Sequence, residues 1–580
     1  MKGFDKLHIK SAVKSHNKMR LDQVHLTSLD FGQVSALYHR SLVPGDNFSI
    51  DCSYFSRLAP LVRPTYGKFS FRTMAAFVPF HQVAYDADAF ISGKTVYEGS
   101  SPDIRKISYT DYITVFLDSA VSITCNATDA FDFTYVNSAG IRIYRMFTNR
   151  GRYYYKILTS LGYKFPSNVD LQSSSAWKSV YGTKYLNLLP FLCFVKVYND
   201  YMSQSQRFNT NAITTILHYV RYNKTYSSYY NASTHTLTTA AVLVMLAAIR
   251  VGYENDYFTS AWEQPESPIG TIQDISTVTT DTGNDFLIHN TTGVKLTQAV
   301  PDSLYQRSLD LLRSFYNFVK RNNYVGSREV QQVFARYGVK PEDYEVNYAH
   351  LITTDIQPIQ VGDVTAEAQS TNVVLGDYAG KGIMNGGQKV TYHSSDFGML
   401  FILGWVTVTP MNAYGFEREV LKTNALDFYQ PDFDGVGVDA ISYGEVFADP
   451  LIVDPNDHTL DDQVFGFTER YNDMRYARDQ ITGDFLKYRP DEMNVWHTGR
   501  LLNSVRAAGN MVAQSNTMNT LDPVDSEYNR IFSVTAGFVD HFLMTCQFKV
   551  NAVRPMLSLN QVPGLGEGDL TVSRNGNEIH

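Results

Sequence analysis

A chain of 580 residues with 44% hydrophobic and 19% charged residues has ample material for a core, which argues against global disorder. Its formal charge of -8 leaves no general attraction for nucleic acid over the whole surface, and Cys52, Cys125, Cys193 and Cys546 are too far apart for metal-ligand spacing, so free thiols are expected. The aromatic content, 13% with 39 Tyr and 35 Phe, favours strands and supplies the large contact areas that subunit interfaces use.

The first twenty residues stand apart. Of the 50 basic and 58 acidic residues, six (Lys2, Lys6, Lys10, Lys14, Lys18, Arg20) and one (Asp5) lie here, giving +5 against -13 for the rest. The lysines recur every four residues, so a helix would gather them on a slowly winding stripe. Lys2 is followed by Gly-Phe-Asp-Lys rather than an apolar stretch, so no secretion signal is expected and a cytoplasmic site of synthesis is.

From 48 to about 80 the chain reads as strands. In 68–79, Phe69, Phe71, Thr73, Ala75 and Phe77 share one face and Arg72 the other, the pattern of a half-buried strand. Residues 95–180 are mixed and polar, with weak periodicity. Helices are expected over 186–202, 237–250, 302–322 and 327–337, the last ending at Gly338 as a C-cap. The longest apolar run, 240–249, is too short to cross a bilayer, and no membrane insertion is expected. Strands return at 399–409, stopped by Pro410, and near 542–550, where Phe542, Met544, Cys546, Phe548 and Val550 alternate with polar neighbours. Strands at both ends and helices between them predict a mainly β fold. The expectation is an eight-stranded antiparallel jelly roll, two packed sheets with strands near 46–58, 68–79, 397–409 and 534–550 and long, partly helical loop insertions.

The search for chemistry ends without a site. Gly376-Asp377-Tyr378-Ala379-Gly380-Lys381-Gly382 has three residues between its first glycines where a phosphate loop has four, and Gly where that loop needs Ser or Thr, so it reads as a glycine-rich turn. Gly564-Leu565-Gly566-Glu567-Gly568 lacks the dinucleotide spacing. His25, His39, His393 and His497 are scattered. No catalytic residue, metal ligand or cofactor is nominated, and the chain is not expected to be an enzyme.

Many segments in order along the chain carry a resemblance. They include Ser28-Leu29-Asp30-Phe31-Gly32-Gln33, Val43-Pro44-Gly45-Asp46, Arg57-Leu58-Ala59-Pro60 with Arg63-Pro64, and Phe77-Val78-Pro79. Leu189-Pro190-Phe191, Val197-Tyr198-Asn199-Asp200-Tyr201, Asp256-Tyr257-Phe258-Thr259 and Arg336-Tyr337-Gly338-Val339 follow. The set closes with Asp427-Phe428-Tyr429-Gln430-Pro431-Asp432-Phe433, Phe465-Gly466-Phe467, Trp496-His497 and Arg554-Pro555-Met556. In these the chain resembles the major capsid proteins of microviruses (Microviridae), especially gokushoviruses. It departs from that branch at Val78-Pro79-Phe80-His81, at Val325-Gly326-Ser327-Arg328-Glu329 and at Asp432.

The resemblance implies a structural protein of the virion, a homo-oligomer forming a T=1 icosahedral shell around the circular single-stranded DNA of a bacteriophage and assembled in the bacterial cytoplasm. It implies further partners: a small basic DNA-binding protein, a scaffolding protein and a bacterial surface receptor. Residues 1–27 are then a basic arm and 28–580 one jelly-roll domain. Its large insertions span about 95–395, and 203–255 and 268–300 are variable surface loops, serving as receptor contact or threefold protrusion, or packing on a neighbour. Lys2, Lys6, Lys10, Lys14, Lys18 and Arg20 become candidate DNA contacts, neutralising phosphates with little sequence preference. A solvated helix face, or an arm clasping an adjacent subunit, stays open. Arg57 and Arg63 are candidates to pair with neighbouring subunits. The alternatives of another class are a secreted carbohydrate-binding or carbohydrate-active β-sandwich, which would normally carry a secretion signal and more than four Trp, and a viral spike protein.

Overall fold

The alternation near the carboxyl end places Phe542, Met544, Cys546, Phe548 and Val550 on one side of a strand, and the same alternation in Phe48, Ile50, Cys52 and Tyr54 makes the strand that pairs with it. The computed structural model describes residues 16–92, 103–118, 120–122, 133–136, 142–164, 184–203, 211–254, 256–261, 347–365, 378–412, 415–423, 425–434, 437–446, 464–485, 493–500, 520–521, 523–524, 526–534 and 540–556, with a few shorter pieces between and after them. Nine strands form one sheet: β1 (Asn17–Arg20), β2 (Gln23–Leu29), β3 (Val34–Leu42), β4 (Asn47–Leu58), β5 (Lys68–Pro79), β6 (His350–Thr365), β7 (Tyr378–His393), β8 (Gly398–Thr409) and β9 (Phe542–Arg554). The order is β1–β9–β4–β7–β6–β5–β8–β3, with β2 also on β9, and every pairing is antiparallel.

The expected β-sandwich with helical insertions is present, with the last strand starting at Phe542 rather than near 534, and among the described residues its two layers are joined into one curled sheet of nine strands where eight were expected. The reason is the length of β6. Its first part, through Ile359, pairs with β5, and from Gln360 onward it pairs with β7. Pro358, which has no N–H for a ladder, stands just before the change of partner. The halves then face each other across an apolar core. Tyr54 of β4 meets Phe71 of β5 at 5.5 Å between ring centroids, and Tyr38 of β3 meets Phe548 of β9 at 5.2 Å. The far ends of the sheet approach each other where His25 Nδ1 lies 2.8 Å from the Leu37 carbonyl.

A helical layer covers the outside of one half. It comprises α1 (Tyr109–Asp118), α2 (Asn149–Ser160), α3 (Leu189–Val197), α4 (Asn211–Arg221) and α5 (Thr239–Ala247). Met74, Ala76 and Val78 of β5 and Phe401 and Leu403 of β8 are buried beneath it, while Phe69, Phe71, Leu400 and Ile402 point into the sheet core. So β5 is half-buried only at its start, and from Thr73 both faces are dry. The expectation of one wet face fails there because the covering helices come from the insertion.

Neither α1 nor α2 was expected in 95–180. α2 starts where the Thr148 hydroxyl accepts a bond from Gly151 N–H at 3.0 Å. The helix expected over 186–202 begins instead at Leu189, with Pro190 in its first turn, where its missing N–H costs nothing. Tyr198–Met202 then widens into a π-helical turn. α5 lies within the expected 237–250. In 203–255, α4 and α5 send Ile213, Ile216, Val220, Val242 and Met245 into the core, so this segment is a packed layer with an exposed turn around 222–234 rather than a plain loop. Nearly all of 302–322 and 327–337 lies outside the described residues; Gly338, at φ +69°, does cap the chain, its N–H bonding Phe334 O at 2.8 Å. Most of 268–300, Cys125 and Gly564–Gly568 also lie outside.

The expected glycine turn proves to be strand: Tyr378–Gly382 opens β7. A Cβ on Gly382 would stand 2.5 Å from Leu58 Cδ2, so the glycine lets β7 pass close to β4.

Candidate nucleic-acid interface

Lys18 and Arg20 are alternate residues of β1 and share one exposed face. Lys18 and Arg20 are therefore on a strand and not on the helix that the four-residue spacing suggested. This segment is extended because β9 offers a strand to pair with, from Asn17 opposite Arg554 to Arg20 opposite Asn551. The chain then turns into β2: Leu21 N–H bonds Val550 O at 2.9 Å, Val550 N–H bonds Asp22 Oδ1 at 3.0 Å, and Arg20 Nε bonds Asp22 Oδ2 at 2.7 Å. Residues 17–27 of the expected arm thus belong to the sheet. Lys2, Lys6, Lys10 and Lys14 lie outside the described residues.

Cross-strand partners share a face, so the register defines what stands beside Lys18 and Arg20. Lys549 of β9 is opposite Asp51 of β4, and Asp51 is opposite Lys389 of β7. Arg57 of β4 lies between Leu543 and Ile383, and Lys381 is two residues from Ile383 on β7. All six cations are exposed. Val24 (64% exposed), Leu26 (75%), Phe55, Leu543 and Ile383 are exposed among them, and the Arg57 guanidinium lies 5.6 Å from the Phe55 ring centroid. This is the outer face of the sheet half that the helical layer leaves uncovered. From the residues alone Arg57 is a candidate either for a subunit contact or for a role within one subunit, Lys381 falls in a glycine-rich turn, and nothing links Lys389 or Lys549 to the arm. The available signal was that the exposed sides of β1, β4, β7 and β9 carry Lys or Arg at six positions and one carboxylate, Asp51.

Elsewhere, buried polar groups hold the fold. Arg105, wholly buried, pairs with Asp86 at 2.8 Å and bonds the Val220 carbonyl at 2.9 Å, tying the helical layer together. Burial pushes the Cys52 thiol up to about 11 and Cys546 to about 12, so both remain protonated and poor nucleophiles. Burial lowers the pKa of His25, His39 and His497. Among the described residues, no three His, Cys, Asp or Glu stand close enough to hold a metal ion.

The family model for the phage capsid protein (F protein) matches residues 178–565. Capsid protein VP1 of Chlamydia phage 1 is 24% identical over 243 residues, 41% of this chain and 39% of the relative. Capsid protein VP1 of Bdellovibrio phage phiMH2K is 22% identical over 241 residues, 40% of this chain and 42% of the relative. The matched regions thus span about two fifths of each relative's length. Both are structural proteins of phage shells, in line with the microvirus resemblance and not with a carbohydrate-binding sandwich or an enzyme. With the family match running over two thirds of its length, this chain belongs to the phage capsid protein (F protein) family.

Proposed function

We propose that this chain is the major capsid protein of a small bacteriophage, whose copies close into a T=1 icosahedral shell around circular single-stranded DNA. The observation that carries the reading is the family match over 178–565, a span that includes β6 to β9 of the sheet. Closed shells need heterologous contacts around several symmetry axes, and large insertions on a rigid sheet supply such surfaces. Exposed Phe416, Val420, Phe428, Tyr429 and Phe433 lie on one such insertion. The chain is organised as one shell domain with an amino-terminal basic segment facing the interior, where Lys2, Lys6, Lys10 and Lys14 of the arm and Lys18 and Arg20 of β1 contact the genome. The exposed turn around 222–234 within 203–255 and the segment 268–300 face outward, toward a receptor or at threefold protrusions. Assembly takes place in the bacterial cytoplasm, with a small basic DNA-binding protein and a scaffolding protein as partners. Negative-stain electron microscopy of the protein expressed with its phage's other structural proteins tests this. Small isometric shells of uniform diameter are expected, and a protein that stays monomeric under all such conditions overturns the reading.

A further inference from the structure

The bare outer face of the β9–β4–β7 half is selective in composition. Strands β1, β2, β4, β7 and β9 together hold seven Lys or Arg and one carboxylate, Asp51. The whole chain, by contrast, has 50 basic and 58 acidic residues. One of the seven, Arg554, is turned away from this face and bonds Asp46 at 2.8 Å. The other six are exposed, and counting Asp22 at the β1–β2 turn with Asp51, the described residues of this face carry six cations against two carboxylates, a net +4. A face that only meets water normally mixes both signs. It also rarely carries an apolar group such as Leu26, Leu543, Ile383 and Phe55 at its centre.

We propose that this face is a sequence-tolerant platform for single-stranded nucleic acid, an inference that rests on the reading of the chain as a shell around a single-stranded genome. An unpaired strand presents both phosphates and apolar base faces, and this surface offers a partner for each. Lys549 and Lys389, flanking Asp51 two strands apart at about 10 Å, and Lys381, Arg57, Lys18 and Arg20 around them, meet phosphates. The exposed Phe55 ring, with Arg57 beside it, receives a base by stacking, and Leu26, Leu543 and Ile383 cover neighbouring bases. A duplex hides its base faces and would leave these apolar side chains wet. A small basic protein would be repelled. The four central cations need no help from the arm, so the platform acts independently of residues 1–15.

The test is fluorescence anisotropy of the purified full-length protein with a labelled oligothymidylate across a range of salt concentrations. The fourfold variant Arg57→Gln/Lys381→Gln/Lys389→Gln/Lys549→Gln changes only exposed strand positions. It is expected to bind at least tenfold more weakly, with its salt slope reduced by about 3. Phe55→Ala is expected to lose about tenfold with the slope unchanged. Should the fourfold variant unfold, Lys389→Gln and Lys549→Gln alone are each expected to reduce the slope by about 0.7. A parent protein that does not bind, or variants that titrate like the parent, overturn the proposal. Electron microscopy of the same preparations separates the two readings. Parent protein that never forms shells but shows the charge-dependent binding removes the shell reading and leaves the platform. A variant that blocks shell formation with unchanged oligothymidylate binding assigns the face to a second copy, and overturns the platform.

Discussion

His541 Nδ1 stands 3.1 Å from Asp30 Oδ1, although 511 positions separate the two residues in the chain. The ring's other nitrogen lies 2.9 Å from the Val534 carbonyl, and its face stacks on Phe532 at 4.1 Å. Two acceptors facing both nitrogens suit the imidazolium, which donates twice. Nearby, Lys156 Nζ bonds Asp540 and, at 2.8 Å, Gln33, so β2, α2 and the entry to β9 are fastened at one point.

This contact predicts a pH dependence of stability. Burial alone lowers the His541 pKa, but the bond to Asp30 and its charge, the Val534 carbonyl and Asp540 together outweigh it, and the net shift is upward. A raised folded-state value means the stabilisation is fully present below the unfolded value of about 6.5 and is lost as pH rises through the folded value. Denaturant midpoints of the parent and of Asp30→Asn, measured from pH 5.5 to 8.5, should differ most at the acid end and converge as pH rises. A constant difference would show that the contact is not charged.

Phe31 lies among four aromatic rings, with Phe542 at 5.0 Å, Phe69 at 5.5 Å, Phe532 at 6.0 Å and Tyr528 at 6.1 Å. Phe31→Ala is expected to cost about 3–5 kcal/mol, because rings from three separate stretches of chain cannot all collapse into the gap. Chemical denaturation checks this, and a loss under 1 kcal/mol would mean that the cluster repacks.

Gly398 opens β8 where a Cβ would stand 2.4 Å from both the Val78 carbonyl oxygen and the Phe77 ring. A backbone atom cannot step aside, so Gly398→Ala is expected to cost about 1–3 kcal/mol. The melting temperature of the variant against the parent measures it.

The arm and the sheet face are separable. Replacing Lys2, Lys6, Lys10 and Lys14 with Gln, with Lys18 of the sheet face kept, is expected to leave shells intact and to reduce the DNA they retain and its salt sensitivity. Nuclease-protected DNA per shell is the readout, and unchanged content would show that the arm does not hold the genome.

Alternation with period two is a local property, and it was enough to locate β5 and β9 and to identify the core side of each, while an unbroken apolar run ended by Pro410 located β8. The ordered motifs from Ser28 to Pro555 carried the family. Three things were decided only in three dimensions. Which strand faces stay wet depends on where the insertion's helices settle: Met74, Ala76 and Val78 look like the solvent side of β5 until α3 and its neighbours cover them. Whether residues 17–20 are helix or strand depends on a pairing partner at 551–554, more than 500 positions away. The gathering of Lys18, Arg57, Lys389 and Lys549 on one face depends on the register of four strands drawn from both ends and the middle of the chain. Side-chain direction follows from neighbouring residues, but neighbours across a sheet follow from the free energy of closing the whole core, which no short window of sequence contains.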